Sequence, residues 1–90
     1  MLDEVYVVVK EWVFDGGEDC GQSIEVFSKL ESAKEWKKYL SNSAKKDFSA
    51  FSSIEEEDDE MNYAIWEEGE YSYNHTTITI YLREIDRTEE

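Results

Sequence analysis

Four stretches of the chain read as strands, their side chains alternating between two faces, and one stretch between them repeats its apolar positions at three and four. In "VYVVVKEWVF", Val5 to Phe14, β-branched and aromatic residues occupy both faces of a strand: Val5, Val7 and Val9 on one, Tyr6, Val8, Trp12 and Phe14 on the other. A strand apolar on both faces is central in its sheet, or has one face covered by a partner. "DGGEDCGQ", Asp15 to Gln22, is a glycine-punctuated turn. "SIEVF" follows as a second strand, with Ile24 and Val26 on one face and Glu25 and Phe27 on the other. The pair predicts an antiparallel hairpin whose loop is longer than two residues.

The period then changes. Ser28 to Glu31 has the form of a capping box, in which Ser28 accepts from the Glu31 backbone and the Glu31 carboxylate reaches back. Ala33, Trp36, Leu40 and Ala44 recur on one helical face, and Phe48 and Phe51 extend the stripe. The spacing predicts a helix over about residues 29–46. After the acidic stretch that follows it, "NYAIWEEG" reads as a third strand, "EEGEYSYNH" as a turn and "TTITIYLREI" as a fourth strand. In the last, Ile78, Ile80 and Leu82 alternate with Thr77, Thr79, Tyr81 and Arg83.

The order ββαββ predicts one α+β domain over residues 1–90, an antiparallel sheet of about four strands with one helix packed on one face. The predicted core is Val5, Val7, Val9, Ile24, Val26, Leu30, Ala33, Trp36, Leu40, Ile78, Ile80 and Leu82. Tyr6, Val8, Trp12, Phe14, Phe27 and Tyr81 would then line the second sheet face. A large exposed apolar face of that kind commonly marks an interaction site.

Charge changes the picture most. The chain carries 23 acidic and 9 basic residues, a net charge of −14. That balance argues against direct binding of nucleic acid, whose phosphates need Lys and Arg, and against an anionic membrane. It favours a basic partner. The distribution is uneven: residues 29–46 hold six lysines against two glutamates, a surplus of four positive charges, so the rest of the chain stands at −18. Glu55 to Glu60 are acidic without a break. Self-repulsion among such residues costs stability, and solubility alone needs a net charge of only about 2–8 in a small domain. The bland reading of the run is a solvated loop that aids solubility.

Other chemistry finds little support. An EF-hand loop needs alternating acids, a glycine at its sixth position and a glutamate at its twelfth, and neither "DGGEDCG" nor "EEEDDE" fits. His75, the only histidine, reads as a turn or strand-edge residue. Cys20 lies among acids that disfavour its thiolate and has no cysteine with which to pair. "NHT", Asn74 to Thr76, matches the glycosylation triplet but follows no secretion signal. We therefore expect no enzymatic activity, no metal and no cofactor. The start lacks a signal-peptide pattern and no apolar run reaches the ~20 residues of a membrane span. These features predict a protein of the cytoplasm, away from membranes.

The "VYVVVKEW…DGG" opening, the "VFSKLESAKEW" strand-to-helix join and the closing "ITIYLREI" strand resemble the short acidic proteins of bacteriophages and mobile elements of Gram-positive bacteria. The resemblance is one of style over most of the chain. Some proteins of that kind are anti-CRISPR or anti-restriction inhibitors that act as DNA mimics. The resemblance thus implies a phage-encoded inhibitor at work in the cytoplasm of a bacterial host. It carries over no functional residue.

Electrostatics supports the same expectation independently. Rows of carboxylates can fill a groove built for phosphates. The expected partner is a basic nucleic-acid-binding protein such as a nuclease. The residues expected to meet it are Asp15, Glu18 and Asp19 in the first turn, Glu55, Glu56, Glu57, Asp58, Asp59 and Glu60 in the run, and Glu67, Glu68 and Glu70 in the second turn. Tyr63, Trp66, Tyr71 and Tyr73 beside them would be aromatic anchors. The competing expectation is a small assembly or regulatory module that forms a homodimer through the second sheet face, sensitive to Trp12→Ala or Phe14→Ala. An antitoxin-like inhibitor of a basic toxin would use the same electrostatics.

Overall fold

In the computed structural model the chain runs β1 (Leu2–Phe14), β2 (Asp19–Phe27), α1 (Leu30–Lys45), β3 (Ser53–Asp58), β4 (Asn62–Glu68) and β5 (Tyr73–Asp86). The structure describes residues 2–14, 19–48, 53–58, 61–68 and 73–86. The five strands form one antiparallel sheet in the order β2-β1-β5-β4-β3, with the helix on one face. The architecture is therefore α+β as expected, with one strand more than the alternation pattern gave.

The additional strand is β3, drawn from the acidic run itself. Ser53 to Asp58 pairs with β4, placing Glu55 opposite Ile65 and Glu57 opposite Tyr63. Its only large apolar residue is Ile54, so the period-two signal is faint. Such a sequence is admissible because β3 is an edge, where charge also blocks further strand pairing. The hairpin forms as predicted, but β2 begins at Asp19 and lengthens at the expense of the turn.

The register between β1 and β5 decides which face the helix covers. Val8 stands opposite Ile80 and Tyr6 opposite Leu82, so even-numbered residues of the two strands share a face. Val8, Ile78, Ile80, Thr76, Tyr63 and Ile65 are all buried there, against Ala33, Leu40, Ala44 and Phe48. Tyr6, Phe14, Phe27, Leu30 and Trp36 pack around them. The predicted core is corrected on this point. Val5, Val7, Val9, Ile24 and Val26 line the opposite face, and Leu82, on the helix side, is 48% exposed. The cause is volume. The helix offers small residues at Ala33 and Ala44, and the face bearing Tyr6, Phe14 and Phe27 fills that space with rings that bury far more apolar area than valines do. Phe14 and Phe48 meet at 5.6 Å between centroids, and Phe27 and Trp36 at 6.5 Å. Phe51 lies outside the described residues.

The expected capping box is absent. The helix starts at Leu30 with Lys29 as its N-cap, and no side chain caps it. Ala33 N–H donates to the Lys29 carbonyl at 3.2 Å, while Glu31 in the first turn and Lys45 in the last suit the helix dipole.

Candidate functional site

β3 and β4 bring the acidic run and the lysine-rich helix together. On the helix side of the sheet, Glu55 and Glu57 of β3 stand next to Tyr63 of β4, within reach of lysines on α1. Lys37, itself buried, reaches Glu57 with its Nζ 2.6 Å from Oε2. Lys45 Nζ lies 3.2 Å from Glu55 Oε2. The Tyr63 hydroxyl donates to the same Glu55 carboxylate, and the Lys45 ammonium sits 6.0 Å from the Tyr63 ring centroid. Ser41 Oγ donates to the Lys37 carbonyl one turn back, at 2.7 Å. The basic helix thus neutralises part of the acidic run within the same chain.

The electrostatics follow from these contacts. The Tyr63 hydrogen bond, aided by Lys45, holds the Glu55 carboxyl below its ordinary value against the opposing effect of partial burial. Burial first, then the Glu55 carboxylate, pushes the Tyr63 phenol well above its ordinary value. A groove of about 400 Å³ opens between α1 and β3, and Lys34, Lys37, Lys38, Lys45, Ser41 and Glu57 are among its walls. None of the residues lining it is a histidine or a cysteine.

Alternation along β3 and β4 sends Glu56 to the open face. It is exposed there, opposite Ala64, and Trp66 stands opposite Ile54. Of the remaining expected contact residues, Asp19 is exposed on the helix side of β2, opposite Phe14. Glu67 is half-buried on the helix side of β4. Tyr63 is 3% exposed and belongs to the core, so its ring does not offer itself as an anchor. For Asp58, Glu68 and Tyr73 the backbone alone is placed, at strand ends. Asp15, Glu18, Asp59, Glu60, Glu70 and Tyr71 lie outside the described residues. Among the described residues the sheet therefore divides the run into a pair on the helix side, Glu55 and Glu57, and Glu56 on the open face.

Sequence reasoning passed over a second acidic feature. β1 and β5 run past their neighbours as a two-stranded ribbon, in which Leu2 to Val5 pair with Arg83 to Asp86. The register sets Glu4 directly opposite Glu84, both exposed. Like charges so placed destabilise a sheet. The signal lay in "LDEV" and "REID", but only the register sets them side by side.

Among the described residues no group of three His, Cys, Asp or Glu is placed to hold a metal ion, and no helix is long and apolar enough to cross a membrane. Comparison with family models, with curated proteins and with solved structures gives no significant match.

Proposed function

We propose that this protein is a non-enzymatic inhibitor that binds a basic nucleic-acid-binding protein in place of nucleic acid. The observation that carries the reading is the density of charge left over once the inward pairs are made. The described chain extends 54 Å along its longest axis, a length over which one strand of a DNA duplex carries about 16 phosphates. The net charge of −14 is of that size. Exposed carboxylates at Glu4, Glu84, Glu25, Glu31, Glu35 and Glu56 spread it along the body and over both faces of the sheet. Of the helix lysines near the run, Lys37 and Lys45 are committed to Glu57 and Glu55. A nuclease that holds its substrate in an arginine- and lysine-lined channel, a CRISPR nuclease among them, is the kind of target that fits.

The test is a competition assay with purified basic nucleases at low and high salt, with and without duplex DNA. Glu4, Glu25, Glu56 and Glu84 are changed together to Gln. All four are exposed and outside the inward network, so the fold should persist. We expect capture at low salt, displacement by duplex DNA and a loss of affinity of about tenfold or more in the fourfold variant. Binding that ignores salt, DNA and these four substitutions would sink the proposal.

A further inference from the structure

The open face of the sheet holds an apolar block that no described residue covers. Val7 is paired with Val26 on one side and Tyr81 on the other, Val9 with Ile24 and Thr79, and Val5 with Arg83. Ile24 and Val26 are 55% and 56% exposed, and Tyr81 is 39% exposed. This block on β2, β1 and β5 contains no acid, in a chain with 23 of them. The carboxylate of Glu56 on the same face lies apart, on the edge strand β3.

Charge is arranged about the block in a particular way. Along the strands, the next charged residue at one end is Arg83, beside Val5, its guanidinium 4.9 Å from the Tyr81 ring centroid. Asp3 follows one pair further out, opposite Ile85. The next charged residue at the other end is Glu11, one pair beyond the Val9–Ile24 pair. A two-fold axis through the block exchanges its ends. It therefore brings Arg83 of each copy to Glu11 of the other, and lays the apolar residues on themselves.

We propose that a second copy of this chain covers the block, sheet against sheet, with the strands of the two copies antiparallel. Ile24 and Val9 of one copy then lie over Val26 and Val7 of the other. Such an isologous contact needs a patch complementary to itself, and opposite charges at opposite ends of an apolar centre provide one. Two copies that each carry −14 repel one another, and the acid-free block is where they can touch with least repulsion. A basic partner, by contrast, would find no carboxylate in the block to read. Under this axis β1 and β5 overlap along their length and β2 near its middle, whereas β3 and β4 fall outside the contact. With strands about 4.8 Å apart and about 3.4 Å per residue the footprint is roughly 500 Å² per copy. A standard interface takes about 800 Å² from each partner, so the dimer is a weak, concentration-dependent one.

The test is sedimentation of the full chain over a concentration series, at low and high salt. We expect a monomer–dimer equilibrium that tightens as salt screens the repulsion between copies. Ile24→Lys and Val26→Lys, at positions already exposed, should leave the fold intact by circular dichroism and the chain monomeric. Ile24→Lys also lowers the negative charge, so its effect would not be electrostatic repulsion. Arg83→Glu and Glu11→Arg should each weaken the dimer about tenfold, and their combination should restore it. A chain that stays monomeric throughout, or a dimer indifferent to both lysine substitutions, overturns the proposal. The protein alone is measured, so this result stands apart from nuclease binding, which should weaken with salt.

Discussion

At the scale of single residues, the bond between Tyr63 and Glu55 joins the core to the acidic run. The phenol is buried and the carboxylate is 43% exposed on its edge strand. Because the folded state holds Glu55 below the ordinary value of 4.5, its contribution is complete above pH 4.5 and is lost as the pH falls through the lower folded value. Tyr63 behaves in the opposite sense. Its phenol is held neutral, so stability is intact below the ordinary value of 10.0 and drains away as the pH rises above it. The many other carboxylates act against the acid effect, since protonating them relieves repulsion. The informative quantity is therefore the difference between variant and wild type. Tyr63→Phe should cost about 1 kcal/mol at neutral pH, a hydrogen bond to a charged group discounted for the exposure of Glu55. It should also flatten the stability curve at both extremes. Glu55→Gln should flatten the acid limb and ease the alkaline one. Urea melts across the pH range measure this, and unchanged limbs in Tyr63→Phe would mean that the bond does not persist in solution.

At the scale of elements, the two sheet edges are protected differently. β3 is guarded by Glu55, Glu56 and Glu57, whereas β2 carries Asp19 and Glu25 over nine residues. β2 is instead pinned to β1 by a cross-strand pair in which Trp12 lies over Gly21. A Cβ at Gly21 would overlap the indole ring. Gly21→Ala should therefore cost about 1–3 kcal/mol by displacing the ring and should shift tryptophan fluorescence. Gly21→Ala in a Trp12→Val background should be tolerated, and if it costs as much there, the ring is not the reason glycine is needed. This pairing also shows what could be read in advance. Alternation correctly grouped Val7 and Val9 with Ile24 and Val26, because paired antiparallel strands preserve it. It joined that group to Ile78 and Ile80, because the register between β1 and β5 is a long-range fact that no local pattern contains. β3 stayed hidden for a related reason: a run of acids carries no alternation, and only the lysines and Tyr63 across from it make it a strand. The acidic run was conspicuous as a candidate surface, but its division into inward and outward members depends on the pleat.

At the scale of the whole molecule, salt separates the forces that act on this chain. A net charge of −14 is held in a body 54 × 24 × 17 Å. The unfolded chain spreads the same charge over a larger volume, so repulsion penalises the native state more. The Debye length at 0.1 M salt is about 10 Å, shorter than every dimension of the body, so added salt removes much of that penalty. The inward pairs respond less. The 2.6 Å contact between Lys37 and Glu57 lies within one Debye length, and its lysine is buried. Sodium chloride should therefore stabilise the fold, by about 1 kcal/mol, or a rise of about 5 °C in Tm, between low and moderate ionic strength. Thermal melts should be made at a protein concentration where sedimentation finds only monomer, so that dimer formation does not add to the shift. The variant with Glu4, Glu25, Glu56 and Glu84 changed to Gln should start from a higher Tm and show a shallower rise. If salt lowered the Tm of the wild-type chain, the inward pairs would outweigh the repulsion. The exposed acids would then cost the fold nothing that a function must justify.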